Sequence, residues 1–161
     1  MFTIHHLHVC LENLPPNFFK DKKVLVLGTL SKDARVHLES LGAHLNCPNC
    51  DVMIHVDLLH NLGHLETHLA YMCKRAKYIF LETDVLDTDQ NICTKFTKGP
   101  FVVGVKPSAS YIENCLKNHG FSTTLISDAR LNHDGICYDW PVQNTFECHS
   151  KQRRFWISNF S

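Results

Sequence analysis

The sequence predicts a compact α/β domain built on a mainly parallel sheet, with an antiparallel edge at its C-terminal end. Three observations carry that reading. Residues Asp51–Asp87 run strand, amphipathic helix, strand, and a right-handed crossover makes two such strands parallel. A strand–helix–strand alternation also precedes this unit, between Lys22 and Cys47. After it, the strand-like runs Phe121–Ile126 and Glu147–Ile157 are joined by a loop and not a helix, which suits antiparallel neighbours.

The chain has 161 residues, enough for one domain with a real core, and residues 1–161 are read as a single unit with residues 1–20 as a lead-in. Lysine plus arginine and aspartate plus glutamate number 16 each, so no global field draws the chain to nucleic acid or to a membrane surface. The apolar runs fall short of the roughly twenty residues that span a bilayer, and no basic-then-apolar signal opens the chain. A soluble, intracellular protein is expected. Eight cysteines are scattered singly apart from Cys47 and Cys50, and reduced thiols suit a chain with this much core material.

The elements follow in order. Met1–Asn17 is a partly apolar lead-in carrying His5, His6 and His8 and ending near Pro15-Pro16. These histidines lack a cysteine or carboxylate at ligand spacing, so they read as a surface or partly packed segment and not a metal site. Val24–Leu27 is the first buried strand, turning at Gly28. Ser31 caps a helix whose Ala34, Val36, Leu38 and Leu41 are apolar, and Gly42 closes it. Ala43–Cys47 is a short second strand. Val52–Leu59 is too continuously apolar for a half-exposed strand and reads as buried on both faces. Asn61 offers an N-cap to a helix with Leu62, Leu65, Leu69, Met72, Cys73 and Ala76 on one stripe and Lys74-Arg75 in its last turn. Tyr78–Leu81 is the next strand. Asp87–Lys98 reads as polar loop, Gly99-Pro100 as a break, and Phe101–Val105 as a short apolar run. Pro107-Ser108 opens a helix bearing Tyr111, Ile112, Cys115 and Leu116, which Gly120 ends.

Several of these residues form motifs. Asp51–Leu62 reads DVMIHVDLLHNL, Leu81–Asp87 reads LETDVLD, and Pro107–Phe121 reads PSASYIENCLKNHGF; Leu131-Asn132, Tyr138-Asp139-Trp140 and Arg153–Trp156 (RRFW) follow. In this order and spacing the chain resembles class I S-adenosylmethionine-dependent methyltransferases, specifically a subgroup familiar from phage, giant-virus and environmental sequences. The resemblance implies a Rossmann-like methyltransferase fold and S-adenosylmethionine as the cofactor.

The first half departs from that pattern at the positions that hold the cofactor. The family's first strand carries an acidic residue and leads into a glycine-rich turn that the cofactor approaches closely. Here Val26 stands at the acidic position, Gly28 alone remains, and Leu30 and Lys32 replace later glycines. Asn49 stands where a carboxylate would take the ribose hydroxyls. Cys47 and Asp51 are only four positions apart, so the family's third strand and its helix are expected to be missing at one edge. The resemblance assigns any remaining cofactor contacts to Gly28, Asn49, Asp51, Asp57, Leu59 and His60. Asp57 and His60-Asn61 themselves replace the usual glycine and Tyr-His.

Plainer readings stand beside these. Asp51 at the start of a strand also serves as a turn former. His55 reads as a packed core histidine, whereas His60, Glu82 and Asp84 end strands on the side where open α/β sheets bind ligands. Cys47 and Cys50 have the spacing of half a zinc site, but no second CxxC or CxxH exists. Arginines and aromatics in Tyr138–Trp140 and Arg153–Trp156 suit a nucleic-acid surface. Strand alternation instead predicts Arg153 and Phe155 on one face, Arg154 and Trp156 on the other, and one arginine bonded to Asp139. The expected function is a methyltransferase-fold protein with a degraded cofactor site, a non-catalytic binding or structural module. The alternative is an active methyltransferase of unstated acceptor, its shortened half completed by a protein partner or second subunit.

Overall fold

Residues 1–59, 62–98, 100 and 102–161 are described by the computed structural model. The crevice residue His60, the N-cap Asn61, and Gly99 and Phe101 of the expected break lie outside the described residues.

The lead-in is a helix, α1 (Ile4–Glu12), that buries His6, Leu7, Val9 and Cys10. Its polar histidines hid an apolar stripe. β1 (Lys23–Leu27) turns at Gly28 into α2 (Lys32–Ser40), capped by the Ser31 hydroxyl, which accepts from the Ala34 N–H. Ala34 and Leu38 face inward, but Val36 is 57% exposed, against the expectation. Gly42 has φ +87° just past the helix end, the left-handed conformation glycine adopts without strain. β2 is only His44–Leu45, shorter than expected. β3 (Val52–Val56) is buried along its whole length but stops three residues early, because Asp57 turns the chain with φ +60°. α3 (Leu65–Arg75) buries Leu65, Leu69 and Met72, its N-cap position falling to His64. β4 spans Tyr78–Asp84.

The segment read as polar loop is instead a hairpin of β5 (Cys93–Lys98) and β6 (Val102–Pro107). Its threonines and lysines alternate with Phe96, a pattern that suits a strand with one wet face. Phe96 pairs across from Gly104, and the Lys106 ammonium sits 5.0 Å above its ring. α4 (Ala109–Asn118) follows, capped by Ser108, then β7 (Phe121–Ile126), a 3-10 turn at Ala129–Leu131, and β8 (Arg153–Phe160). The final strand starts later than Glu147 because Asp87 holds the preceding segment: its carboxylate accepts from the backbone N–H groups of Gln143 and Asn144 and from the Thr145 hydroxyl. Burial would raise the Asp87 carboxyl, but these hydrogen bonds outweigh it and hold it below the usual range.

Six strands form one sheet in the order β2-β1-β3-β4-β8-β7. β1 through β4 are mutually parallel, and β8 runs antiparallel between β4 and β7. The expected arrangement of β1, β3 and β4 at the centre is therefore present, with β2 at the edge among the described residues. α1 and α2 cover one face, where Val24, Val52, Ile54, Val56, Phe80 and Phe155 meet Phe2, Leu7, Phe18 and Phe19. α3 and α4 cover the other, over Met53, Ile79, Leu81 and Trp156. Adjacent residues of one strand belong to opposite clusters, as the pleat requires. All eight cysteines are free thiols. Among the described residues, no helix is long and apolar enough to cross a membrane.

Leu69 and Ile79 are both fully buried, whereas Arg75 lies over the exposed face of Tyr71, 4.6 Å from the ring centroid. Leu69→Ala or Ile79→Ala is expected to cost about 2–5 kcal/mol, and Arg75→Ala far less. Chemical denaturation of the three variants measures this; equal losses are incompatible with the observed helix orientation.

Candidate functional site

The carboxyl ends of the parallel strands, where open α/β sheets form their crevice, converge on one guanidinium. Arg153 opens β8 opposite Asp84 of β4, because an antiparallel strand begins where its parallel neighbour ends. Its NH1 lies 2.6 Å from Glu82 Oε1, its NH2 2.7 Å from Asp57 Oδ1 and its Nε 2.9 Å from Asp84 Oδ1. Arg153 is 8% exposed and Glu82 fully buried. Burial alone would lower the Arg153 guanidinium, but the hydrogen bond to Glu82 and the charges of Glu82, Asp84 and Asp57 outweigh it and push it up.

Residues from both ends of the chain close over this pair. The backbone of Phe2 donates to the Thr29 carbonyl at 2.8 Å and accepts from Ser31 N–H at 2.9 Å, so the lead-in crosses the end of β1. His6 lies fully buried beside Phe2, Phe155 and Tyr138, with ring centroids 5.3–5.4 Å away. Its Nδ1 takes the Thr3 backbone N–H at 3.2 Å and faces the Thr3 hydroxyl at 2.8 Å. Nδ1 is thus the acceptor, and the ring proton is assigned to Nε2, 3.3 Å from Tyr138 Oη and 3.8 Å from Glu82 Oε2. Burial first, then neighbouring positive groups such as His133 and Arg153, lowers His6 to about 3. Burial and the adjacent Glu82 push the Tyr138 phenol up.

Of the six residues expected around the cofactor, the five that are described do not share one place. Gly28 and Asp57 stay at the carboxyl edge. An added β-carbon on Gly28 would meet the Val56 carbonyl oxygen at 2.1 Å, so the bare backbone there serves the approach of β3 to β1. Asp57 holds the left-handed conformation that suits glycine and sends its carboxylate to Arg153. Leu59 is fully buried in the cluster beneath α3 and α4. Asn49 and Asp51 sit at the opposite, amino end of the sheet. The Asp51 carboxylate accepts from Lys23 N–H at 3.0 Å, and its carbonyl accepts from Lys77 and Tyr78 N–H, so it pins the starts of β1, β3 and β4. This is the turn-forming role. Asn49 follows it because β2 ends at Leu45, level with Val24, while β3 restarts level with Val24 on the other side. Four positions allow only an immediate return beneath β1.

The other expectations divide. Phe155 and Trp156 do face opposite clusters, but among the described residues no arginine is hydrogen-bonded to Asp139, which instead receives the Asn132 amide and the Cys137 thiol. Arg154 donates to the flanking carbonyls of Tyr138 and Trp140 and stacks 3.9 Å over the Trp140 ring. Both arginines are therefore turned inward. The Arg153–Glu82 pair was not anticipated; the signal was an acidic strand end, LETD, with an arginine opening a later strand. On the α3 side, His55 Nε2 stands 2.9 Å from His68 Nε2, and burial lowers His55 to about 4. Among the described residues no three His, Cys, Asp or Glu side chains are gathered at metal-ligand spacing, Cys47 and Cys50 included.

The fold and strand order are those of a Rossmann-like α/β sheet with an antiparallel edge, an architecture shared with solved S-adenosylmethionine-dependent methyltransferases. The similarity to solved structures agrees. The chain superposes on the N-terminal domain of EvdMO1, solved in the presence of SAH and D-fucose, with a TM-score of 0.61 at 11% identity, covering 96% of this chain and 80% of that one. A Listeria monocytogenes protein described as a candidate S-adenosylmethionine-dependent methyltransferase gives 0.56 at 11% identity, covering 98% and 97%. The Burkholderia thailandensis 1,6-didemethyltoxoflavin-N1-methyltransferase, solved with its substrate and S-adenosylhomocysteine, gives 0.55 at 10% identity, covering 98% and 75%. No protein-family profile and no curated protein sequence matches the chain.

Removing Arg153 leaves buried Glu82 without its cation, so Arg153→Met is expected to cost about 3–5 kcal/mol. The double variant Arg153→Met/Glu82→Leu should regain much of that loss in urea denaturation; additive losses would contradict the pairing.

Acid should also weaken the fold above the carboxylate range. His6 and His55 are neutral when folded, with values lowered to about 3 and about 4, but take up protons near the ordinary imidazole value of 6.5 when unfolded. The unfolded state therefore binds more protons between those values, and stability falls as pH drops from about 6.5 toward 4. His6→Phe should flatten that slope in a series of denaturation curves recorded against pH.

Proposed function

We propose that this chain is a methyltransferase-fold protein without methyltransferase activity, acting as a binding or structural module. The observation that carries the reading is the Arg153–Glu82–Asp57 cluster, with Phe2 crossing the end of β1, at the edge where this fold opens its crevice. S-adenosylmethionine needs a turn of bare backbone, a ribose carboxylate and an adenine floor. Gly28 is engaged by Val56, Asn49 lies at the far end of the sheet, and β2 is too short to bring a carboxylate to the carboxyl edge. The residues present do not fit the cofactor.

A second reading has one observation in its favour. β2 pairs only with Lys23 and Val24, so Leu25–Leu27 of β1 have no strand beside them on that side among the described residues. A protein partner or second subunit that supplied a strand there would rebuild the missing edge and, with it, a cofactor floor like those of the neighbours solved with S-adenosylhomocysteine.

Titration calorimetry with S-adenosylmethionine and S-adenosylhomocysteine separates the two. If each lost polar contact is worth on the order of 1–3 kcal/mol, a micromolar site falls to about millimolar or weaker, and no saturable binding is expected below that level. Micromolar binding by the isolated chain overturns the non-catalytic reading. Leu30→Gly/Lys32→Gly/Asn49→Glu should not bring binding back, since Asn49 faces the wrong end.

A further inference from the structure

His55 and His68 meet nitrogen to nitrogen in a way that neither packing nor the methyltransferase fold explains. His55 lies mid-strand in β3 with no exposure, and its Nε2 faces His68 Nε2 of α3 across 2.9 Å, the rings tilted at 66°. The other His55 nitrogen, Nδ1, is buried without a hydrogen-bond partner. Buried ring nitrogens used only for packing are normally satisfied. Here the one side-chain partner of the His55 ring among the described residues is a second imidazole.

Sequence spacing brings a third. His64 and His68 are four positions apart in His64-Leu65-Glu66-Thr67-His68, at the start of α3, and residues so spaced lie on one helical face. Both line the same opening, with Leu62, Gly63, Thr67 and Tyr71. Tyr71 stacks on the His68 ring, 6.2 Å between centroids, which fixes its plane. Glu66 is turned away to the Tyr111 hydroxyl and is not available as a ligand. His64 is exposed at the helix N-cap and stands outside ligand spacing of the pair, so a turn of its side chain is needed to reach them.

We propose that His55, His68 and His64 form a three-imidazole site for a divalent transition-metal ion of zinc-like preference. His55 and His68 are its preformed half. Two imidazoles on a tetrahedral ion at about 2.0–2.1 Å stand roughly 3.3 Å apart, so the pair needs to open by only a few tenths of an ångström. At present one ring donates its Nε2 proton to the other. On binding, that donor ring gives up its Nε2 proton and takes one at Nδ1, so both Nε2 lone pairs reach the ion with no net proton release. His64 turns inward to supply the third nitrogen. The fourth position, facing the opening, stays available to water or an anionic ligand, the arrangement of an open metal site. The proposal is independent of whether S-adenosylmethionine binds at the far crevice.

The test uses tag-free protein titrated with Co(II), followed by visible absorption, and with Zn(II) by competition calorimetry. One ion per chain is expected, with the absorption of a four-coordinate nitrogen-rich site. His68→Gln and His64→Ala should each weaken it by about a hundredfold, no less than outer-shell changes do at known sites. His8→Ala, which alters the separate ring pair of His8 and His37, should leave it unchanged. Circular dichroism checks that each variant is folded. Failure to bind either ion below about a millimolar, or binding that survives both His68→Gln and His64→Ala, overturns the site. Loss in His68→Gln with none in His64→Ala overturns the three-ligand assignment.

Discussion

The buried guanidinium of Arg153 is the contact on which the upper half of this molecule depends. It joins the first residue of an antiparallel strand to the ends of two parallel ones, through Glu82 and Asp84 of β4 and Asp57 after β3. A charge in that position is costly to desolvate, and only the dense set of carboxylates around it offsets the cost. Once it is in place, His6, Tyr138 and Phe2 have an apolar yet hydrogen-bonded surface to close against. The N-terminal helix therefore owes its seat to a residue near the other end of the sequence.

The two ends of the sheet divide the labour differently from what the motif resemblance implied. Asp51 ties three strand starts together at the amino edge through its carboxylate and its backbone, a structural task. At the carboxyl edge, Asp57 occupies a left-handed position at little cost, since aspartate tolerates that region better than most side chains. That backbone conformation suits glycine, yet the side chain standing there reaches Arg153. At Gly28 the bare backbone lies against a neighbouring strand's carbonyl.

The parallel half of the fold was legible because β1, β3 and β4 are continuous apolar runs separated by a helix with one clear stripe. The place of β2 at the edge beside β1 also followed from the short gap between Cys47 and Asp51, which leaves no room for another unit. The hairpin β5–β6 was hidden by Thr94, Lys95 and Thr97, whose polarity reads as loop although their alternation with Phe96 is strand-like. α1 was hidden by histidines, one of which is packed as tightly as any leucine. Alternation placed Arg153 and Phe155 on the right face but could not name the partner: Asp139 is near in sequence, Glu82 is near only across the sheet. The same limit misplaced Asn49, whose end of the sheet depends on how soon β2 stops.

The position of β8 between β4 and β7 also bears on how the chain reaches this state. It follows β7 in sequence yet lies between β4 and β7 in space, so β7 can join this sheet only through a strand made after it. Until it inserts, β4 is an open edge and β7 has no hydrogen-bonding neighbour, leaving two sticky templates in the nascent chain. Its contacts to β4 bridge residues some seventy positions apart, as with Arg153 and Glu82, and such high contact order slows folding. The buried ion pair can form only once β8 has joined the sheet, and α1 packs its His6 against Phe155 of that same strand.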